Sequence, residues 1–108
     1  MKLTYTAIFQ HDEDGICISF PDVPYCLSCA FSYHEAIEMA TEALELSLDE
    51  IPVEEIPNFR PKSAFTLGPR QEAVEISVEL ENRDGILFSS KVIRAPGTTG
   101  EIDILSEG

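Results

Sequence analysis

The sequence predicts an α+β fold in which one helix packs on one face of a single β-sheet. Three observations indicate it: two strand-like segments flank a turn near the N-terminus, one later segment has a clear helical period, and another alternates strictly between apolar and polar residues. With 108 residues and 44% hydrophobic content, the chain can bury one modest core. We therefore predict a single domain over residues 1–108, with its core in residues 1–80 and a C-terminal β extension and tail in residues 81–108.

The first two strands are predicted to form a hairpin. Residues 3–9 (LTYTAIF) contain β-branched and aromatic residues in rough alternation, and residues 16–20 (ICISF) form the returning strand. Between them, residues 11–15 (HDEDG) have the composition of a tight turn, whose glycine is free to adopt a positive φ. A corner at 19–26 (SFPDVPYC), stiffened by two prolines, leads to a short third strand at 26–31 (CLSCAF).

A single amphipathic helix follows this corner. Ser32 is the predicted N-cap and Glu35 completes a capping box, while Pro52 places the end of the helix near Glu50. The helical period gathers five acidic residues on the side opposite the apolar face, within an arc of about 80°: Glu35, Glu38, Glu42, Glu45 and Asp49. Two apolar residues lie beside this acidic stripe, where a solitary domain has little use for them: Met39 and Leu46.

The segment after the helix is predicted to be a long connection. Residues 51–71 carry four prolines and no periodicity, so they form either a strap packed by Phe59 and Phe65 or a mobile segment. The end of the chain leaves a similar choice, because residues 101–105 (EIDIL) can add a short strand or remain loose.

A second hairpin is predicted near the C-terminus. Residues 73–80 (AVEISVEL) alternate as a strand, and a turn at 82–85 leads to a partner strand at 86–93. Because a helix that joins two parallel strands must cross the sheet, the order of the elements predicts a helix layer on an antiparallel or mixed sheet.

The charge distribution favours a basic partner. The formal net charge is −13, and residues 3–59 contain twelve Asp or Glu but no Lys or Arg. Such a surface repels nucleic-acid phosphates and attracts basic proteins, although solubility alone explains an acidic protein about as well. The N-terminal sequence lacks a secretory signal and no apolar run is long enough to span a membrane, so we expect a cytoplasmic protein without membrane contact.

The residues that carry chemistry do not form an enzymatic pattern. The carboxylates of 11–15 lack the further ligands of a calcium loop, and neither His11 nor His34 stands near a Ser or Cys nucleophile. Cys26 and Cys29 form a C-x-x-C without a second pair, which favours free, buried thiols over zinc coordination together with Cys17 and His34. We predict no catalytic residue, metal site or cofactor.

Residues 3–50 resemble the HicB family of antitoxins. That family has a Tyr-x-Ala-x-Phe strand, an Asp-Glu-Asp-Gly turn, a Ser-Phe-Pro-Asp-(Leu/Val)-Pro-Gly-Cys corner, and a helix with Glu-Ala and Ala-x-Glu-Ala-Leu. The matching residues are Tyr5, Ala7, Phe9, Asp12 to Gly15, Ser19 to Pro24, Cys26, Glu35, Ala36, Ala40 and Glu42 to Leu44. Tyr25 replaces the usual glycine, so we expect the corner to form without a positive φ there.

The resemblance implies a fold, a function and a partner. The fold is a partly degenerate RNase H-like β-β-β-α-β arrangement with the fourth strand beside the first. The function is to bind a small basic HicA-type mRNA-cleaving toxin and to neutralise it by covering its active surface. We expect the partner-binding residues on the corner and the helix: Asp22, Tyr25, Glu38, Met39, Glu42, Glu45, Leu46 and Asp49.

Two alternatives to the toxin-binding function remain. The first is a solitary HicB-like interaction or regulatory module without a toxin. The second, more remote, is a metal-dependent hydrolase that uses Asp12, Asp14 and Asp22.

The C-terminal third bears on DNA binding and on oligomeric state. Many HicB-type antitoxins carry a C-terminal DNA-binding region, but no second amphipathic helix follows Glu50, so we expect no direct DNA binding by this chain alone. The hairpin 73–93 is expected to offer an unpaired edge through which two copies form a homodimer.

Overall fold

The structure of this chain, a computed structural model, describes residues 1–90. A four-stranded sheet and one helix form its main body. The elements are β1 (Lys2–Asp12), β2 (Gly15–Ser19), β3 (Leu27–Ala30), α1 (Tyr33–Leu48), β4 (Gln71–Glu79), β5 (Glu81–Arg83) and β6 (Ile86–Phe88). The strand order in the sheet is β3-β2-β1-β4. The predicted α+β class is confirmed, with one helix packed on a sheet and a separate C-terminal hairpin. No helix formed by residues 1–90 is long and apolar enough to cross a membrane.

The N-terminal hairpin requires a glycine at its turn. β1 and β2 pair antiparallel from Asp12↔Gly15 to Ile8↔Ser19. Gly15 has φ 142°, and a Cβ atom added there would lie 2.6 Å from the carbonyl oxygen of Ala30. Only glycine allows this backbone conformation and this close approach of β3.

The helix begins and ends largely as predicted. The Ser32 hydroxyl accepts the Glu35 N–H at 3.1 Å, and the Glu35 carboxylate accepts the Phe31 N–H at 2.8 Å. These two bonds fix the N-terminus and the residue that precedes it, as a capping box does. The helix ends at Leu48, and Glu50 adopts φ 64°, which turns the chain away from the helix axis.

The fourth strand lies beside the first, as the family resemblance implied, and the sheet is antiparallel, one of the two predicted forms. β4 pairs antiparallel to β1, from Lys2↔Glu79 to Gln10↔Gln71. α1 starts near the end of β1, where the Phe9 and Tyr33 rings lie 5.8 Å apart. Residues 49–70 then carry the chain back to that same end before β4 begins. A parallel strand would not need so long a return. The RNase H-like description stays a prediction.

Residues 51–70, here called the strap, begin on the helix side of the sheet and then cover the opposite face. The Tyr5 hydroxyl donates to the Pro57 carbonyl, and the Thr6 hydroxyl donates to the Arg60 carbonyl at 3.2 Å. Because neighbouring residues in a strand face opposite sides, the strap passes from one side of the sheet to the other between Pro57 and Arg60. The Phe59 ring packs edge-on against Tyr5, and the Arg60 guanidinium lies 4.5 Å from the Phe65 ring centre. The packed strap, one of the two predicted alternatives, is therefore observed.

The strap is tied to the corner between β2 and β3. The Asp22 carboxylate accepts the Arg60 backbone N–H at 2.7 Å and its Nε–H at 2.8 Å, and lies 2.6 Å from Nη2. The Asp22 side chain is only 10% exposed. A buried carboxylate that accepts several hydrogen bonds from one residue holds that residue in place.

The core lies between α1 and the sheet. β1 contributes Tyr5, Ala7 and Phe9, and the helix contributes the residues of its apolar face. The helix residues in the core are Ala36, Ala40, Leu44 and Leu48. Residues outside the predicted core range also take part, because Leu87 of β6 is fully buried.

The predicted pairing of the C-terminal hairpin is wrong. Residues 86–88 pair with residues 81–83 and not with β4. Beyond the last β1–β4 pair, Lys2↔Glu79, the buried Leu80 donates its N–H to the carbonyl of Met1. β5 and β6 then form a separate hairpin whose Leu87 N–H donates to the carbonyl of Ile51. The predicted strand residues 91–93 and 101–105 lie outside the described residues.

Loss of the Asp22 carboxylate is expected to loosen the strap. Asp22→Ala leaves the donors of Arg60 without their partner and is expected to lower the free energy of unfolding by about 1–3 kcal/mol. Arg60→Ala keeps the backbone N–H bond and should cost less. Asp14→Ala, in the exposed turn, is the control and should stay within about 0.5 kcal/mol of the unchanged protein. Urea unfolding measures all three, and a loss for Asp22→Ala no larger than for the control would contradict the role of the carboxylate.

Candidate protein-binding surface

An open groove of about 260 Å³ lies between the outer edge of β3 and one flank of α1. Within residues 1–90, no strand pairs with that edge of β3. The groove is lined by Tyr25, Cys26, Leu27, Ser28, Met39, Glu42, Ala43, Leu46 and Ser47. Four residues predicted to bind a partner are brought together here: Tyr25, Met39, Glu42 and Leu46.

The helix side of the groove arises from the helical period. Met39, Ala43 and Leu46 are spaced so that they lie along one flank of α1. Met39 and Ala43 are partly buried against the core, whereas Leu46 is 63% exposed. The sheet side comes from β3, whose residue Ser28 faces the helix. The floor of the groove is therefore mostly apolar and opens to solvent at Leu46.

Tyr25 has a strained backbone and an exposed ring. Its φ is 66°, so the corner keeps the left-handed conformation that glycine would favour, and the expectation of a corner without positive φ is wrong. Two backbone hydrogen bonds close the corner around it. The Cys26 N–H donates to the Val23 carbonyl, and the Val23 N–H donates to the Phe20 carbonyl. The left-handed conformation costs a non-glycine residue about 1–2 kcal/mol. The side chain is 98% exposed, so packing within the fold does not offset that strain.

β3 carries its large apolar residues on the outside. Leu27 is 70% exposed and Phe31, which directly follows β3, is 86% exposed. The inward positions hold the small residues Cys26, Ser28 and Ala30. The sequence analysis described this segment only as a weak strand and missed both exposed residues. The inverted alternation in CLSCAF, with small residues inside and large ones outside, was the available signal.

The rim of the groove is acidic. Glu42 lines it, and Glu38, one turn earlier in the helix, has 64% of its side chain exposed. The His34 Nε2 lies 3.6 Å from the Glu38 carboxylate. The lining residues include no Lys or Arg. The groove thus presents an apolar floor with negative charge beside it, which suits a partner that carries both apolar and basic side chains.

Three of the predicted residues lie away from the groove. Asp22 is engaged by Arg60 at the corner. Glu45, expected on the exposed acidic stripe, is only 5% exposed, which corrects that placement. Asp49, one turn after Glu45 on the same side of α1, accepts the Ser89 N–H at 2.8 Å. The stripe therefore divides: Glu38 and Glu42 are exposed, whereas Glu45 is buried and Asp49 is bonded to the segment that follows β6.

The carboxylates of the hydrolase alternative are separated by the fold. Asp12 and Asp14 lie at the turn before β2, whereas Asp22 lies in the corner after it. A strand of five residues extends roughly 16 Å, so these groups cannot share one metal ion. Within residues 1–90, no three His, Cys, Asp or Glu residues lie close enough together to hold a metal ion.

The cysteines differ from the prediction of buried thiols. Cys26 is buried, but Cys17 and Cys29 are exposed and lie directly opposite each other on β2 and β3. Partial desolvation, followed by the Asp12 carboxylate 3.7 Å away, raises the pKa of the Cys17 thiol above its ordinary value. Burial likewise raises the pKa of the Cys26 thiol, while a hydrogen bond with Ser47 acts in the opposite direction.

Comparison with known proteins adds two similarities. No family model matches this sequence. The chain is 38% identical over 48 residues to Antitoxin HicB 2 of Photorhabdus laumondii subsp. laumondii, which covers 44% of this chain and 34% of the relative, so the match spans about a third of the relative's length. One chain of a toxin–antitoxin complex from Streptococcus pneumoniae has a similar structure, with a TM-score of 0.62 at 18% identity over 93% of this chain and 82% of that chain. The structural match shows a shared fold.

The exposed thiols permit a test of the electrostatics of the turn. In a Cys29→Ser background, Asp12→Asn is expected to lower the pKa of Cys17, because a nearby negative charge and a carboxylate hydrogen bond are removed. More thiolate then exists at about pH 8, and Cys17 reacts faster with Ellman's reagent. Asp14→Asn removes the same charge from the same turn without that hydrogen bond and should change the rate less. If both variants raised the reaction rate of Cys17 equally, the raised pKa would come from the overall negative charge of the turn and not from the Asp12 hydrogen bond. Cys26 should react only after unfolding.

The strain at Tyr25 predicts a stabilising substitution. Tyr25→Gly removes a left-handed penalty of about 1–2 kcal/mol and adds about 0.5–1 kcal/mol of lost chain entropy. The free energy of unfolding should therefore rise by about 0.5–1 kcal/mol. Tyr25→Ala, which removes the ring but keeps the strain, is the control and should give no gain. If both variants changed the free energy of unfolding equally, loss of the ring and not relief of the backbone strain would explain the change.

Proposed function

We propose that this protein is a HicB-like antitoxin that binds a small basic HicA-type toxin through the groove between β3 and α1 and so covers the toxin's active surface. The observation that carries the proposal is the groove itself: an apolar floor, an acidic rim and a strained, almost fully exposed tyrosine at one end. The similarity to an antitoxin over 48 residues and the fold shared with a chain of a toxin–antitoxin complex support it.

The chemistry of the groove suits binding rather than catalysis. Its lining residues include one carboxylate, that of Glu42, and no histidine; the other polar side chains are the hydroxyls of Tyr25, Ser28 and Ser47 and the thiol of Cys26. Tyr25 and Leu46 are exposed apolar side chains of the kind that anchor protein interfaces once they are desolvated. We infer that the protein acts without catalysis, by occupying a surface of its partner.

A solitary interaction module is the second candidate, since the same groove would serve any basic partner. The two functions differ in their genetic neighbourhood and in their effect on cells. A short adjacent reading frame for a basic protein with a lone histidine supports the antitoxin. Co-expression of that protein with this chain should restore growth that the basic protein alone stops. Continued growth arrest, with both proteins present at similar levels, would contradict neutralisation.

A homodimer also belongs to the proposal. Residues 86–88 pair with β5 and not with β4, so the edge available for a dimer is the outer side of β4, which has no strand partner within residues 1–90. This edge lies at the opposite side of the sheet from β3, so a dimer there would leave the groove open. Sedimentation velocity of the chain alone measures this association.

Charge reversal at the rim is expected to slow toxin binding. Glu38→Lys combined with Glu42→Lys should reduce the association rate roughly tenfold at low salt, because acidic residues beside an interface steer a basic partner. Glu75→Lys combined with Glu79→Lys changes the net charge equally on exposed positions of β4 and serves as the control. Stopped-flow or surface-plasmon measurements across a salt series separate the two variants. An equal reduction by both would show that net charge, and not the groove, attracts the partner.

A further inference from the structure

We propose that the partner binds by strand addition: an extended segment of the basic partner pairs with the outer edge of β3 and becomes a fifth strand of the sheet. The inference rests on the proposed function and specifies how the groove is filled. Strand addition uses main-chain hydrogen bonds for affinity and alternate side chains for specificity. Both requirements are met at β3.

The register of the hairpin shows which backbone groups point outward. β2 and β3 pair from Ile16↔Ala30 to Ser19↔Leu27, which places Phe20 opposite Cys26, and the Phe20 N–H donates to the Cys26 carbonyl at 3.3 Å. Hydrogen-bonded and non-hydrogen-bonded pairs alternate along an antiparallel ladder. Ser28 and Ala30 therefore bond to β2, whereas the N–H and C=O groups of Leu27 and Cys29 point away from it, toward the free edge.

The edge lacks the usual protection against pairing. Edge strands are normally blocked by lysine, proline, a bulge or an inward charge. The residues of β3, LSCA, contain no charge and no proline, and their pairing with β2 is continuous without a bulge. Within residues 1–90, the sheet ends at this strand.

An added strand would be held on both faces of the sheet. Side chains on its helix-facing side would enter the groove and contact Met39 and Leu46. Side chains on its other side would cover Leu27 and Phe31, the two apolar residues that β3 and its end expose outward. The large outward residues, which have no role in the core, thereby gain a partner.

Charge decides which partner fits. A strand places residues on one face at every second position, so an apolar residue in the groove has a neighbour two positions away that can reach Glu42 or Glu38. Lys or Arg at that neighbour would pair with the rim. A second copy of this chain would instead bring its own acidic rim against the first, which like-charge repulsion disfavours. The expected segment is therefore extended, with an apolar residue and a basic residue two positions apart.

Proline at position 29 tests the strand addition. Cys29→Pro removes an outward N–H without removing a hydrogen bond to β2, and proline is tolerated on an edge strand at such a position. If the proposed function holds, the probe is the small basic protein of the adjacent reading frame, inactivated by replacement of its lone histidine. The dissociation constant should rise roughly tenfold or more with Cys29→Pro. Cys29→Ser also removes the thiol but keeps the N–H, and should change the dissociation constant less than about twofold.

Amide hydrogen exchange in the unaltered protein gives a second readout that does not depend on how the proline variant folds. In the free chain, the amides of Ser28 and Ala30 should be protected and those of Leu27 and Cys29 should exchange quickly. Binding of the probe should protect Leu27 and Cys29. Unchanged exchange at both positions in the complex overturns strand addition and leaves the proposed function standing. Failure of the probe to bind the unaltered chain overturns both. A dimer of the chain alone that Cys29→Pro dissociates would assign the edge to a second copy and overturn the basic partner.

Discussion

The structure depends on the burial of β1 from both sides, although residues 1–90 contain a single α-helix. Five consecutive residues of this strand, Tyr5 to Phe9, are buried, so neither face of its centre can be left to solvent. The helix covers one face. The other is covered by the strap, an irregular segment that must be fixed by individual bonds because it has no repeating ladder of its own. Tyr5, Thr6 and Asp22 supply those bonds.

The same constraint explains why the β3 edge of the sheet has no strand partner within residues 1–90. The strap is bonded to β1 and to the corner, and it leads directly into β4 at the far edge. β3 lies at the opposite edge, and its outward residues Leu27 and Cys29 remain exposed. In the part of the chain that the structure describes, the groove and the unpaired edge thus arise because the strap covers the β1 and β4 side of the sheet and not the β3 side. They are also the features from which the toxin-binding proposal is built.

The parts of the fold that follow a local rule could be predicted from the sequence. The capping residues Ser32 and Glu35 and the alternation from residue 73 are local signals, and the structure contains the helix and strand that they predict. The direction of β4 could not be predicted in this way, because it depends on the route of the strap, whose prolines carry no period. The burial of Glu45 was missed because helical periodicity shows which residues share a side of the helix but not how exposed each of them is. At the candidate site, the helical residues Met39, Glu42 and Leu46 were found. Leu27 and Phe31 were missed because four residues are too few for a reliable pattern.

The pairing of β1 with β4 has a kinetic consequence. β1, β2, β3 and α1 are neighbours in sequence and can assemble from short-range contacts, whereas Lys2 meets Glu79 only when almost the whole described chain is available. Contacts between distant parts of a chain form slowly, because a large loop must close before they are made. During synthesis on the ribosome, the backbone N–H and C=O groups of β1 that bond to β4 therefore stay unpaired until the strap and β4 have emerged. That interval, rather than the finished fold, is when the newly made chain is most open to aggregation and to proteases.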